Sequence, residues 1–440
     1  MRLLFFIADL ISFTLITALV VALRYGKFSH NVFDPTIKVL LPVFGVTSLI
    51  LWIFSFYDTQ LIKKGRLDYS NIIIAFTISL ITSAFGIYFT TSFFNVATPK
   101  FILLLVFIIY FSYMYISRKL YASFTFVKQR ILLLGKSNTL KEIEKDLVSY
   151  DNLEVLGRFE NPEDIKSIPP ETVDLIVMAS KMLSENKKTW AVISTMFLNK
   201  GVLLTTDYNF YEHLFMRSSK GSLKDAMWLI RGVAARQEEK YYPFIKRALD
   251  VLFCLVLMPI MLPLGILTYF AIKFIDGIPP FFFQERIGKN EKKIYIYKFR
   301  TMKPGSEDIT KIGAILRRFR LDEIPQLINI FKGDISIVGP RPVWTDEYYF
   351  LNKYLPCHNI RSVIKPGLTG WAQLNFKAPP TYCVREDLKN KESIPDSTFD
   401  AAYKRLSYDV WYIKNRSLFL DLEIMFKTAK RAFIKDKNIV

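Results

Sequence analysis

Four apolar runs fill the first quarter of the chain, at residues 3–23, 37–56, 72–94 and 101–117, and they constrain the fold more than any other feature. Each is close to the roughly 20 residues that a helix needs to cross a bilayer. Only Arg2 precedes the first run and no small-residue cleavage site follows it, so it reads as a retained span rather than a signal peptide. Lys63, Lys64 and Arg66 follow the second run, and Arg118, Lys119, Lys128 and Arg130 follow the fourth. The positive-inside rule puts both segments in the cytoplasm, although Arg24, Lys27 and Lys38 in the first loop dissent mildly. Asp9 falls inside the first run, where it is expected to pair locally or reach the interface.

At 440 residues, the chain has room for about three domains. A hydrophobic share of 51% against 22% charged residues excludes a disordered protein. Cys254, Cys357 and Cys383 form no CxxC pair and have no His/Cys partners, which sets aside a disulfide framework and a thiolate metal site. The 59 Lys and Arg against 40 Asp and Glu leave a net charge of +19. In a chain this apolar, that surplus points to anionic lipid or a phosphate-bearing substrate and not to nucleic acid.

From Arg130 short apolar strands alternate with helical stretches, at 131–135, 139–149, 153–159, 173–180, 184–198 and 201–206, the pattern of a small parallel α/β domain. Its first turn, Gly135-Lys136-Ser137-Asn138, has no second or third glycine for a pyrophosphate to approach. The expectation is a Rossmann-like domain without a dinucleotide. Residues 216–243 read as a linker, and the apolar run that follows, residues 247–273, carries Pro259 and Pro263 in its middle. Each proline removes a helical hydrogen bond. The segment beyond the run is strongly basic, including Lys289, Lys292, Lys293, Lys298, Arg300 and Arg317. A re-entrant helix that breaks at the prolines and returns to the cytoplasmic face satisfies both facts. The expected organisation is a four-span bundle at 1–124, the α/β domain at 125–215, a linker at 216–243 and a further domain at 244–440.

The most informative stretch holds KFRTM (298–302), TKIGAILRRFR and LDEIPQLINIFKGDISIVGPRP. Ile312, Ile315, Leu316 and Phe319 recur at helical spacing among Lys311, Arg317, Arg318 and Arg320, an interfacial helix with its apolar side toward lipid. Ile324, Leu327, Ile328 and Phe331 make a second amphipathic helix, with Asp322, Glu323 and Pro325 in its first turn. Alone, an acidic pair there is a cap. Beside a basic interfacial helix and a GPRP turn, it sits where a lipid phosphate can meet a cytosolic one, and a carboxylate can accept a phosphoryl group while its neighbour holds Mg²⁺.

At these residues the sequence resembles the monotopic phosphoglycosyl transferases, also called bacterial sugar transferases. The resemblance runs from Lys246-Arg247 and Pro263 through QERIG (284–288), KFRTM, LDEIPQLINIFKGDISIVGPRP and KPGLTGWAQLN (365–375) to YDVWYIKNRSLFLDL (408–422). It implies a monotopic catalytic domain, with the segments ahead of it typical of the large membrane-bound subgroup. By resemblance, Asp322 is the nucleophile and Glu323 the carboxylate supporting Mg²⁺. Lys298, Arg300 and Arg341 are expected to contact substrate phosphate, and Asp409 and Pro263 match further functional positions. Two departures stand out: Leu262 replaces the serine usual before the helix-breaking proline, and a longer insert covers 376–397.

The implied reaction moves sugar 1-phosphate from a UDP-sugar to undecaprenyl phosphate, releasing UMP and initiating a surface glycan. The implied setting is the cytoplasmic face of a bacterial inner membrane, in contact with its lipids, and a homodimer is compatible with it. A chain starting near Tyr241 is expected to keep some activity. Two rivals exist: a membrane-anchored nucleotide-sugar dehydratase or epimerase, which needs the missing glycine-rich loop, and a non-catalytic lipid-binding scaffold, which leaves Asp322 and Glu323 among Lys298 and Arg341 unexplained.

Overall fold

The structure, a computed structural model, describes residues 2–25, 30–53, 56, 57, 72, 75–84, 100–125, 128–147, 150, 153–185, 193, 195–237, 241–306, 308–355, 357–376 and 396–433. The chain divides into two compact units, residues 1–131 with 147–156 and residues 132–146 with 157–440.

In the first unit, α1 (Arg2–Tyr25) lies against α2 (His30–Ile53) and α3 (Lys100–Thr125). Leu3–Tyr25 and Ile102–Phe124 are long and apolar enough to cross a membrane, while Thr36–Trp52 and Ala75–Ala84 are shorter apolar helices. The Phe13 ring meets Phe44 and Tyr110 at centroid distances of 5.0 and 5.3 Å. Lys63, Lys64, Arg66 and most of the expected third span lie outside the described residues. Asp9 does not pair locally, its partner lying 109 positions along the chain. It is fully buried and takes the Arg118 guanidinium in a fork, at 2.9 and 2.7 Å. Arg118, assigned by sequence to the cytoplasmic flank, is therefore inside the bundle, stacked 4.5 Å from the Phe5 ring. A lone charge in that setting is prohibitive, and the bidentate partner is what permits it.

A four-stranded sheet is made of β1 (Gln129–Leu134), β2 (Leu153–Phe159), β3 (Leu175–Met178) and β4 (Leu203–Thr206), in the order β2-β1-β3-β4. Strands β3 and β4 are parallel, Leu175 opposite Leu203. Leu132, Leu134, Ile176 and Met178 fill the core with Ile193 and Phe197. The sheet order places a switch point between β1 and β3, where open sheets of this class hold ligands. Here Asp207, the first residue of α5 (Asp207–Phe215), occupies it. Its carboxylate accepts from Ser137 Oγ at 2.6 Å and from the Ser180 N–H at 2.9 Å and Oγ at 2.5 Å.

Residues 216–237 do not form the expected linker. Helix α6 (Ala226–Gln237) puts Leu229 against Leu406 and Val410, and Val233 against Val338, Trp371 and Tyr412. Glu212 accepts from Lys414 Nζ at 2.8 and 2.7 Å and from Ser218 Oγ at 2.8 Å. The indole N–H groups of Trp411 and Trp371 donate to the carbonyls of Glu212 and Met216, at 3.0 and 2.9 Å. A boundary at Tyr241 thus cuts through a shared core, because the apolar partners of 220–237 lie far along the chain. Glu212→Gln keeps the hydrogen-bond acceptor but removes the charge facing buried Lys414. The expected loss is about 2 kcal/mol, read by thermal unfolding in detergent.

Helix α7 (Tyr242–Ala271) runs on into a wide turn, Ile272–Asp276, and ends at Gly277 with φ 66°. Pro259 and Pro263 both lie inside this one helix, so the expected break is not a gap in it. The surface of α7 is apolar, with Leu252, Leu255, Val256, Ile260, Leu262 and Leu267 exposed. Arg247 near its start donates to the carbonyls of Ile330 and Phe331, and Asp250 accepts from the Ile337 N–H at 3.1 Å. Near its end, Tyr269 and Ile272 join Phe299 and Leu316.

Candidate active site

Strands β5 (Phe281–Ile287) and β6 (Lys293–Phe299) form an antiparallel hairpin, with Phe281 opposite Phe299. Alternation puts Ile294, Ile296 and Lys298 on one face of β6. Both isoleucines are buried, and Lys298, whose side chain is 19% exposed, follows them inward. The basic residue of KFRTM is therefore not a solvated strand charge.

The carboxylates arrive from the other side. Helix α8 (Lys311–Phe319) starts at Thr310, whose Oγ1 accepts from the Gly313 N–H at 2.9 Å. Its apolar stripe is shared: Ile312 and Leu316 enter the protein core, and only Ile315 and Phe319 remain exposed. Arg320, at φ 59°, stops the helix. Asp322 and Glu323 then lie on a tight 3₁₀ turn, Leu321–Glu323, rather than in the first turn of the next helix as expected. That helix, α9 (Gln326–Lys332), begins after Pro325.

The turn brings Glu323 Oε1 to 3.5 Å from both Lys298 Nζ and an Arg320 nitrogen. Burial, reinforced by the charge of Glu323, raises the Asp322 carboxyl above its ordinary range, with Lys298 and Arg320 opposing. Burial lowers the Lys298 ammonium, which Glu323 supports and Arg341 and Arg286 oppose. These shifts arise because the groups share one partly desolvated pocket.

Arg341 is delivered by the crossing of two loops. Strand β7 (Ser336–Val338) pairs in parallel with β8 (Gly367–Thr369). Just beyond it, the Gly339 N–H donates to Thr369 O and the Gly367 N–H to Pro340 O, both at 2.9 Å. A Cβ on Gly339 would lie 2.5 Å from the Lys365 carbonyl, so the close approach explains why GPRP and KPGLTG carry glycines. Among the described residues nothing hydrogen-bonds the Arg341 guanidinium, whose proton affinity burial lowers and Glu323 supports. Its carbonyl accepts from Arg361 at 3.0 Å and from Arg405 at 3.5 Å. Arg361 Nε in turn lies 2.8 Å from Asp409 Oδ2. Asp409, on α11 (Asp396–Asn415), therefore meets the loop of Arg341 through Arg361.

Two expected site residues are placed elsewhere. Arg300 donates to the carbonyls of Pro279 and Phe281, at 3.0 and 3.2 Å, and clamps the entry to β5. Pro263 is exposed on α7, two residues before Gly265, which faces Ile324. Arg286 and Arg361 join the cluster without being expected there, and Arg320, read from the sequence as part of the basic face of the interfacial helix, turns to Glu323. For Arg286 the signal was its place in QERIG, whereas nothing local marks Arg361. Among the described residues no group of three or more His, Cys, Asp or Glu is arranged to hold a metal. Asp322 and Glu323 nevertheless supply the hard oxygen donors that suit Mg²⁺, which is commonly held by one or two carboxylates together with substrate phosphates and water.

Residues 241–435 match the family model described as bacterial sugar transferase. A UDP-N-acetylgalactosamine-undecaprenyl-phosphate N-acetylgalactosaminephosphotransferase of Aeromonas hydrophila is 34% identical over 204 residues, 43% of this chain and 44% of that protein. The uncharacterized sugar transferase EpsL of Bacillus subtilis is 32% identical over 202 residues, 44% of this chain and 89% of EpsL. A UDP-glucose:undecaprenyl-phosphate glucose-1-phosphate transferase of Escherichia coli is 33% identical over 204 residues, 43% of this chain and 40% of that protein. The similarity thus spans less than half the length of the Aeromonas and Escherichia relatives.

Proposed function

The chain belongs to the bacterial sugar transferase family, and from that premise we propose that it moves sugar 1-phosphate from a UDP-sugar to a polyprenyl phosphate such as undecaprenyl phosphate, the first step of a surface glycan. The observation that carries this reading is the turn that sets Asp322 and Glu323 against Lys298, with the Arg341 guanidinium in their electrostatic reach.

An Asp322 oxygen attacks the phosphorus that bears the sugar. A new P–O bond forms to the carboxylate as the bond to UMP breaks, and UMP leaves with the electron pair. The lipid phosphate then attacks the same phosphorus, the bond to Asp322 breaks, and the carboxylate is restored. Two displacements spare the site from holding both anionic substrates at once. The raised proton affinity of Asp322 makes it a better nucleophile once ionised, and Lys298 and Arg341 face the charge that builds on the phosphoryl oxygens. Mg²⁺, when bound at Glu323, would supply further neutralisation of that charge.

In this reading α7 is re-entrant and the catalytic unit lies on the cytoplasmic face of a multi-pass protein. In support, residues near both ends of α7, Arg247 at one and Tyr269 and Ile272 at the other, touch the same unit. A straight crossing would leave one end across the membrane. The switch point filled by Asp207 weighs against the dehydratase alternative.

With a suitable UDP-sugar and no lipid, the protein is expected to release about one UMP per active site and to gain a phosphosugar mass at Asp322. Release of UMP only when lipid is present, with no adduct in rapid-quench samples, would replace this route by direct displacement. A pH profile follows as well. Asp322 must be ionised, so activity is lost as pH falls through its raised pKa; Lys298 must be protonated, so activity is lost as pH rises through its lowered one. The bell in kcat/KM should accordingly be narrower on both sides than ordinary Asp and Lys values allow.

A further inference from the structure

The two halves of the candidate site reside on separate pieces of backbone. Lys298 is carried by β6, and Asp322 and Glu323 by the turn that leads into α9. Apolar contacts of Ile330 with Ile294 and Ile296 hold the pieces together, but such contacts are non-directional and tolerate sliding. At the surface, Lys332 Nζ on α9 donates to the Tyr297 hydroxyl at 2.8 Å, a bond between two long side chains that leaves the backbones room to shift; among the described residues a buried side chain of α9 grips the β6 backbone itself. Asn329, fully buried on α9, accepts from the Tyr297 N–H through Oδ1 at 3.0 Å and donates from Nδ2 to the Tyr295 carbonyl at 2.7 Å.

The chemistry of that pairing is specific. Among the described residues, strand β6 has a strand partner, β5, on one edge only. On its other edge, the carbonyl of residue 295 and the N–H of residue 297 point the same way, as ladder groups on one edge of a strand do. A side-chain amide presents one acceptor and one donor at the spacing of a peptide group, so Asn329 stands in for a missing third strand. Its second N–H reaches Asp334 Oδ2 at 3.3 Å. Asparagine is a poor helix former, and no apolar residue could satisfy the two buried backbone groups.

We propose that Asn329 is a positioning residue: by docking its amide on the free edge of β6 it sets the register between β6 and α9, and with it the spacing of Lys298 from Asp322 and Glu323. The proposal rests on the transferase reading for its catalytic consequence, though not for its geometry. A displacement of about 1 Å between reacting groups can cost about 100-fold in rate.

Asn329→Leu keeps the approximate volume and removes both bonds. It is expected to lower kcat for UMP release about 100-fold while KM for the UDP-sugar stays within about threefold. Lys298 should also shift out of its pocket of Glu323, Asp322, Arg341 and Arg286. Acylation of its amine by acetic anhydride, followed by peptide mass against pH, would then show a midpoint displaced from wild type. Asn329→Asp, isosteric, places a carboxylate oxygen against the Tyr295 carbonyl and Asp334; its protonated form regains the donor, so its activity relative to wild type should recover on acidification. Should the leucine variant not fold, the aspartate variant carries the same comparison. Wild-type kcat and an unmoved Lys298 midpoint in a folded variant would overturn the proposal. The acylation readout needs no turnover, so an inactive wild type would sink the transferase reading alone.

Discussion

Asp322→Asn is expected to lose turnover by about 10⁴-fold or more, and the phosphosugar adduct with it, while remaining folded. The side chains are isosteric and differ in the ability to attack phosphorus. Stability sharpens the expectation. The Asp322 carboxyl has a folded pKa above its ordinary value, so its ionised form is disfavoured by burial and by Glu323 at neutral pH. Removing that charge should leave the unfolding temperature unchanged or slightly higher, the signature of a residue retained for chemistry at the expense of stability. Glu323→Gln should slow both half-reactions without abolishing the adduct. An Asp322→Asn protein that still forms adduct at the wild-type rate would move the nucleophile elsewhere.

Asp409→Ala is expected to destabilise the protein by about 3–5 kcal/mol, because it strands the buried Arg361 guanidinium. The side chains of Arg361 and Asp409 are 5% and 2% exposed. The nearby His358 cannot take over, since burial and the charges of Arg361 and Arg405 push its pKa down to about 2. Neutral His358 can donate from Nδ1 to Asn352 at 2.9 Å while Nε2 faces Arg361 at 3.3 Å. The second consequence is local: an unanchored Arg361 releases the Arg341 carbonyl, and the GPRP loop should then hold its guanidinium less well. Arg361→Met added to Asp409→Ala should restore part of the stability, a coupling that a double-mutant cycle in denaturant measures. A single variant as stable as wild type would remove Asp409 from this role.

What the sequence disclosed depended on whether the controlling interaction was local. The inward turn of Lys298 follows from the period-two pattern KIYIYKF, and the acidic pair stood out through the motif around it. The start of α9 was misplaced because the chain reverses at Arg320, a non-glycine residue at positive φ that no local signal marks. Residues 216–243 read as a linker because Leu229 and Val233 find their partners at Leu406, Val410 and Tyr412. Asp9 looked like a residue bound for the interface because Arg118 lies 109 positions away. Nothing local marks Asn329, since the edge of β6 that it meets exists only once the hairpin has formed.

The Asp207 carboxylate at the switch point between β1 and β3 has a consequence for what the α/β domain can perceive. A tethered anion is present at an effective concentration that a freely diffusing metabolite at millimolar levels does not match. It also requires no charge to be brought from solvent, since Ser137 and Ser180 already surround it. Free nucleotides should therefore pass unread by this domain, and any information it conveys to the catalytic domain would be mechanical, carried by the helices joined at Glu212 and Lys414.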